Sequence, residues 1–512
     1  MSARPDIIEK KEGKKLYDFQ HRAIEEIFER LRKYPERYSL LYQLPTGGGK
    51  TVIFSKIAKH YIHETKRKVL ILTHRIELCR QTSAMLDEFG VPNKIINSKV
   101  KEVCASDNHM CYVAMVETLN NRLHDEAVEI ENLGLVIVDE AHNNSFRKLF
   151  KFFRDKILLG VTATPLSSNI NLPLREVYKE LIVGDSIASL IKKGFLAKAT
   201  TYSYDVILSS LKIGINGDYT VRSSELLYNN YAMQDKLLHA YEQKAKGKKT
   251  LIFNNGINTS RHVYKLFTDA GYAIRHLDHT QSEEERKEIL TWLKETPDAI
   301  VTSVSILTTG FDEPTVEAII LNRATRSLTL YHQMIGRGSR VLPNKKEFIV
   351  IDLGNNALRF GLWDAPIDWQ EIFAHPEQYY EQLVSDETIE RNFKYTMPLE
   401  VKQRFANSDD ITFNVKEEYE KIKHSGHRPM TIIEQSIRQH ARMCIENAQT
   451  LREARELAEL LDEEIQFRIK DYSYCICKST PNYLTWLHEE YKRRLTLLIA
   501  TEFRNRITHS AA

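Results

Sequence analysis

"RYSLLYQLPTGGGKTVIFSKIAKHYI", residues 37–62, changes character twice in a short span. An apolar, strand-like run, RYSLLYQL (37–44), is broken by PTGGGKT (45–51), after which VIFSKIAKHYI (52–62) resumes with helical spacing. A glycine-rich turn between strand and helix lets backbone N–H groups meet phosphate oxygens with no side chain in the way. After Thr46, the glycines Gly47, Gly48 and Gly49 supply that turn. Lys50 would reach the β- and γ-phosphates, and Thr51 would offer its hydroxyl to Mg2+. Leu44 stands where the usual pattern opens with a glycine.

Short apolar runs recur on the C-terminal side of this loop: KVLILTH (68–74), CYVAMVE (111–117), LGLVIVDE (133–140) and ILLGVTAT (157–164). Helix-like segments such as RIELCRQTSAMLDEF (75–89) lie between some of them. Buried strands alternating with helices predict a parallel sheet wrapped by helices. A second set follows: TLIFNN (250–255), YAIRHLDH (272–279), DAIVTSVS (298–305), VEAIILNRA (316–324) and FIVIDLG (348–354). Between two of these runs, SEEERKEILTWLKE (282–295) reads as a helix with Ser282 as its N-cap. The fold class expected is therefore α/β, with two tandem parallel-sheet lobes, residues 1–190 and 191–365, hinged within 183–200. Residues 366–512 have helical periodicity and few turn residues, and predict an all-helical appendage.

VIVDEAHN (136–143) closes a strand with adjacent carboxylates. Asp139 suits a Mg2+ shell, and Glu140 suits the orientation or deprotonation of an attacking water. γ-Phosphate hydrolysis spreads negative charge over oxygens that the loop touches from one side only. A guanidinium from the other side of a cleft completes the site. QMIGRGSR (333–340), with Arg337 and Arg340 three apart, sits in the second lobe and would make turnover conditional on lobe closure.

Composition narrows the partners. The chain has 512 residues, with 42% hydrophobic and 28% charged, and a net charge of +3 from 72 basic and 69 acidic side chains. Bulk charge does not announce nucleic acid, so any such surface must be a local stripe. The six cysteines, Cys79, Cys104, Cys111, Cys444, Cys475 and Cys477, include no C-x-x-C pair and read as free thiols of a reducing cytoplasm. The N-terminus lacks a signal-peptide core, and no apolar run approaches the roughly 20 residues that span a bilayer. A cytoplasmic chain without a membrane partner is expected.

Taken in order, these motifs resemble those of superfamily 2 helicases of the DEAH-box type across residues 16–354, which implies that the two parallel-sheet lobes are RecA-like. LYDFQHRAI (16–24) resembles the Q motif, LPTGGGKT (44–51) motif I, ILTHRIELCRQ (71–81) motif Ia, DEAH (139–142) motif II and TAT (162–164) motif III. LIFNNGINTS (251–260) resembles motif IV, LTTGFDEP (307–314) motif V and QMIGRGSR motif VI. Within the superfamily, THRIEL, VGDSIASLIKKGFL and the run from TTGFDEP to QMIGRGSR look most like the bacterial RadD and XPB-like DNA-repair helicase group. Such relatives carry a cysteine-rich zinc module after the motor, which Cys444, Cys475 and Cys477 do not supply.

The resemblance implies an ATP site in which Gln20 reads adenine and His142 couples the nucleotide to the second lobe, helped by Thr162 and Thr164. Gly310 and Asp312 would touch nucleotide or strand, and Gln333, Arg337 and Arg340 would complete the site, with Arg340 nearest the γ-phosphate. His74, Arg75 and Thr308 would contact nucleic-acid phosphates. It implies ATP and Mg2+ as cofactors and nucleic acid as partner, DNA favoured over RNA, with repair or replication restart as the setting. The other readings are an RNA helicase and a motor subunit of a defence or restriction system whose C-terminal helices bind a protein partner. The basic patch YKRRL (491–495) reads as a solvated helix face, and Trp486 as core.

Overall fold

The computed structural model describes residues 16–97, 103, 107–125, 128–304, 307, 313–391, 395, 397–425, 428–476 and 480–510. Two compact units make up the chain, Met1–Val384 and Ser385–Ala512.

The first unit holds two all-parallel sheets. The first contains β1 (Ser39–Gln43), β2 (Lys68–Thr73), β3 (Asn93–Ile96), β4 (Cys111–Met115), β5 (Leu133–Asp139), β6 (Ile157–Thr162) and β7 (Glu180–Val183). Their order is β3-β4-β2-β5-β6-β1-β7. The second contains β8 (Lys198–Ser203), β9 (Thr250–Asn254), β10 (Ile274–Leu277), β11 (Ile300–Ser303), β12 (Ala318–Asn322) and β13 (Glu347–Asp352), in the order β10-β11-β9-β12-β13-β8. Every pairing among these strands is parallel.

Central strands are continuous apolar runs because helices cover both faces of the sheet. Every residue of β5 and of β6 is buried. Three strands not foreseen in the sequence, β3, β7 and β8, are all sheet edges. Only part of each is buried, and β8 has no fully buried residue, so an apolar run had no reason to form there. The expected helices stand as Ile76–Glu88 and Glu283–Glu295, the second capped by Ser282, whose Oγ accepts from Glu285 N at 3.1 Å. A short helix, Ile187–Lys192, links the two sheets.

Residues 366–384 pack on the first unit: Gln370 Nε2 donates to Leu181 O (2.9 Å) and Tyr380 OH to Ser167 O (3.1 Å). In the second unit, helices Met430–Glu446, Leu451–Leu460, Asp462–Cys475 and Pro481–Ser510 surround their own apolar core. Each cation of the YKRRL patch is ion-paired there: Lys492 with Glu459 and Asp462, and both Arg493 and Arg494 with Glu490. Trp486, expected as core, is 49% exposed beside Tyr483, because Leu487 and Tyr491 fill the core side of the long helix there. Cys79, Cys111, Cys444 and Cys475 are unpaired, and no helix among the described residues is long and apolar enough to cross a membrane.

Candidate functional site: a cleft between two parallel sheets

Parallel strands bring the loops after their C-terminal ends to one edge of a sheet, where such folds bind ligands. In the first sheet those loops carry Thr46–Lys50 after β1, His74 and Arg75 after β2, and Glu140–His142 after β5. A cleft of about 730 Å³ opens here, lined by Gln20, Thr46–Thr51, Asp139 and Glu140 from the first lobe and by Arg337 and Arg340 from the second.

The glycine loop is shaped by its neighbours. Gly47 has φ +92°, and a Cβ there would stand 2.5 Å from Arg340 Nη1, so a side chain would expel the arginine. Gly336 brings the two loops together from the other side, since a Cβ on it would lie 2.7 Å from Thr46 Cβ. Gln20 Nε2 donates to Gly48 O (3.4 Å), and its Oε1 accepts from Tyr17 N (3.1 Å), which ties the Asp18–Lys33 helix to the loop. Leu44, in place of the usual glycine, is buried against Gly48, and its carbonyl accepts from Lys50 Nζ at 3.4 Å.

Charge in this cleft is unbalanced. Burial, then repulsion from Glu140, pushes Asp139 up to about 7, with Lys50 opposing. Glu140 is held low: burial works against its ionised form, but Lys50, His142, His74 and Arg337 outweigh it. Burial lowers Lys50 against the pull of both acids. Thr46 Oγ1 and Glu140 Oε2 are buried without hydrogen-bond partners. Glu140 also has φ +53°, in the left-handed region, a conformation costing about 1–3 kcal/mol that persists where surroundings enforce it.

Two adjacent buried carboxylates with one lysine and a nearby hydroxyl suit a hard divalent cation. Among the described residues no group of three or more His, Cys, Asp or Glu could hold a metal ion. Such a cation would therefore rest on Thr51, Asp139 and ligand oxygens, as Mg2+ commonly does with phosphates.

A polar chain leaves the acids and reaches the second lobe. His142 Nδ1 lies 3.5 Å from Glu140 Oε2 and 3.0 Å from Thr162 Oγ1. Thr162 Oγ1 donates to Thr164 O (3.1 Å). Two contacts then cross between lobes: Gln333 Nε2 to His142 Nε2 (3.5 Å) and Thr164 Oγ1 to Thr329 Oγ1 (2.9 Å).

His74 and Arg75 stand apart from that group. Burial holds His74 down to about 4, with Glu140 opposing, and its Nδ1 is buried without a partner. Arg75 caps the Ile76–Glu88 helix and is lowered by burial, with Glu77 raising it and Arg286 lowering it. Thr308, Gly310 and Asp312 lie outside the described residues.

Several cleft residues escaped the sequence reading. Tyr17, Phe19 and Phe195 form an aromatic group beside Gln20, with Tyr17 and Phe195 centroids 4.3 Å apart and Phe19 and Phe195 5.0 Å apart. The available signal was the aromatic after Gly194, whose φ is +78°. Leu78, Gln81 and Met85 of the Ile76–Glu88 helix line the opposite wall.

Comparison with known proteins agrees with this geometry. Residues 13–167 match the family described as "Type III restriction enzyme, res subunit", and residues 230–341 match "Helicase conserved C-terminal domain". "Putative ATP-dependent helicase IRC3" of Saccharomyces cerevisiae is 30% identical over 357 residues, covering 66% of this chain and 51% of that protein. The "51.5 kDa protein" of a Lactococcus phage is 29% identical over 337 residues, covering 65% of this chain and 69% of that protein. The chain thus spans about half the length of the yeast relative. A fragment of "a putative HsdR subunit of a type I restriction enzyme" from Vibrio vulnificus YJ016 shares the fold, with TM-score 0.55 and 22% identity over 68% of this chain and 66% of that one. The two family models thus fall one on each parallel-sheet lobe, and the chain shares the fold of that fragment.

Proposed function

We propose that this chain is a nucleic-acid-dependent ATPase that binds ATP with Mg2+ in the cleft and uses lobe closure to move along a strand, DNA in preference to RNA. The observation that carries the reading is the pair of polar contacts crossing the cleft, Gln333 to His142 and Thr164 to Thr329, beside Arg340 on the glycine loop. They join the hydrolytic acids to the second lobe, so a change at the phosphate has a path to motion.

In this reading Gln20 holds the base edge, Lys50 and the loop N–H groups hold the phosphates, and Thr51 with Asp139 holds Mg2+. The cation neutralises phosphate charge when bound. Glu140, ionised through its basic surroundings, orients the attacking water, and Arg337 and Arg340 meet the charge that develops on the γ-phosphate. His74, Arg75 and Thr308 remain the proposed strand contacts. Grouping with DEAH-box, RadD-like and XPB-like repair helicases, and action in repair from the cytoplasm, belong to this proposal and rest on the motif sequences.

A second reading, a motor subunit in a restriction or defence assembly, is favoured by the res-subunit match over residues 13–167. The second unit would then be the docking part. Steady-state ATPase with no nucleic acid, single-stranded DNA, duplex DNA and single-stranded RNA separates these. Stimulation mainly by DNA supports the first reading, and stimulation mainly by RNA overturns the DNA preference. No stimulation without a partner protein moves the chain to the second.

A further inference from the structure

Just after the motif VI arginines stands a buried cation that belongs to no motif. Lys345 is 6% exposed, five residues after Arg340. A tight turn returns it toward the loop, with Leu342 N donating to Lys345 O (2.9 Å) and Lys345 N to Leu342 O (3.0 Å). Its Nζ donates to three backbone carbonyls: Gly338 O at 2.7 Å, Arg340 O at 2.9 Å and Pro314 O at 2.9 Å. An ammonium has three donors, and all three are used.

These acceptors are not scattered. Gly338 and Arg340 belong to the arginine-bearing loop, and Pro314 closes the segment just before β12. The same loop is held elsewhere by Ser339 Oγ donating to Gly336 O (2.7 Å) and Ala197 N donating to Ser339 O (2.8 Å). Lys345 adds two anchors on this loop, one of them on the carbonyl of Arg340 itself.

We infer that Lys345 is a positioning residue for Arg340: its ammonium fixes the backbone from which the guanidinium reaches the glycine loop. The inference rests on the proposed ATPase reading and adds to it a residue outside the lining of the cleft. Charged groups facing Lys345 are Arg340 on the loop and Glu313 and Glu317 before β12. Burial holds its pKa down to about 8, with Arg340 adding to the fall and the two glutamates opposing. Once neutral, the amine keeps two N–H donors and loses one anchor, so turnover falls as pH rises through about 8.

The test measures kcat and KM for ATP in wild type, Lys345→Met, Arg340→Ala, the double variant and Lys345→Arg across pH 6.5–9.5. Lys345→Met is expected to lose about 10- to 100-fold in kcat, the scale of a slightly misplaced catalytic group, with KM within about threefold. The double variant should be no slower than Arg340→Ala, because both act through one group. Lys345→Arg, charged throughout, should lack the basic limb. Wild-type kcat in Lys345→Met, or losses that multiply in the double variant, overturns the inference and leaves the ATPase reading standing.

Absence of turnover in wild type under every nucleic acid overturns the ATPase reading instead. Lys345 is then judged by melting with ADP–aluminium fluoride. Equal loss of the ligand-induced Tm rise in Lys345→Met and Arg340→Ala supports the inference, and a full rise in Lys345→Met overturns it.

Discussion

The two units bury charge in different ways. In the first, Lys50, Asp139 and Glu140 face a cleft of about 730 Å³, where burial pushes Asp139 up to about 7. In the second, Arg468 pairs with Glu464 and donates to Ser436 Oγ (3.0 Å), while Tyr491 OH bonds both Ser436 Oγ (2.8 Å) and His440 Nδ1 (2.8 Å). Helices enclose this cluster, and His440 is 0% exposed. Charges that line open space are equipped for a ligand. Charges bonded to one another inside a core define which helix packs where. The first group should govern turnover and the second stability.

The comparison breaks most visibly at Lys50. Lys50→Ala should lower ATP turnover by on the order of a thousandfold or more, since phosphate charge loses its main partner. Its Tm should match wild type, checked by scanning calorimetry. In the helical unit the effects invert. Arg468→Met strands the Glu464 carboxylate and should cost about 3–5 kcal/mol of stability in urea denaturation, with ATP turnover of the folded protein unchanged. A large activity loss there would dissolve the distinction.

Acid sharpens it further. Burial, then Arg468, holds His440 down to about 4, with Glu464 opposing. An unfolded histidine titrates near 6.5, so between pH 6.5 and 4 the unfolded chain takes up a proton that the folded one refuses. The stability present above pH 6.5 should fall by roughly 3 kcal/mol across that window, and His440→Gln should remove this part of the slope. Smallest is Gln333→Ala. Its 3.5 Å contact with His142 is long, and a severalfold fall in nucleic-acid stimulation, with basal turnover kept, is the expected outcome.

Legibility followed the same physics. Central strands such as β5 and β6 could be read because burial on both faces demands unbroken apolar runs. Edge strands β3, β7 and β8 could not, since one side lacks a partner and their residues stay mixed. That Lys50, Thr51, Asp139, Glu140 and Arg340 would line one cleft could be read, because the phosphate chemistry proposed for it fixes residue type and spacing. The places of Tyr17, Phe195 and Lys345 could not. An aromatic wall or a carbonyl anchor can come from any segment the fold brings close, so no local pattern marks it.

The most direct test of the account is the steady-state ATPase rate of Arg340→Ala beside wild type, with saturating single-stranded DNA and ATP. If the second lobe completes the site, the variant binds ATP as wild type does and turns it over on the order of a thousandfold more slowly. Turnover within a few fold of wild type would mean that hydrolysis is finished within the first lobe, and the cleft between the two sheets would no longer explain the motor.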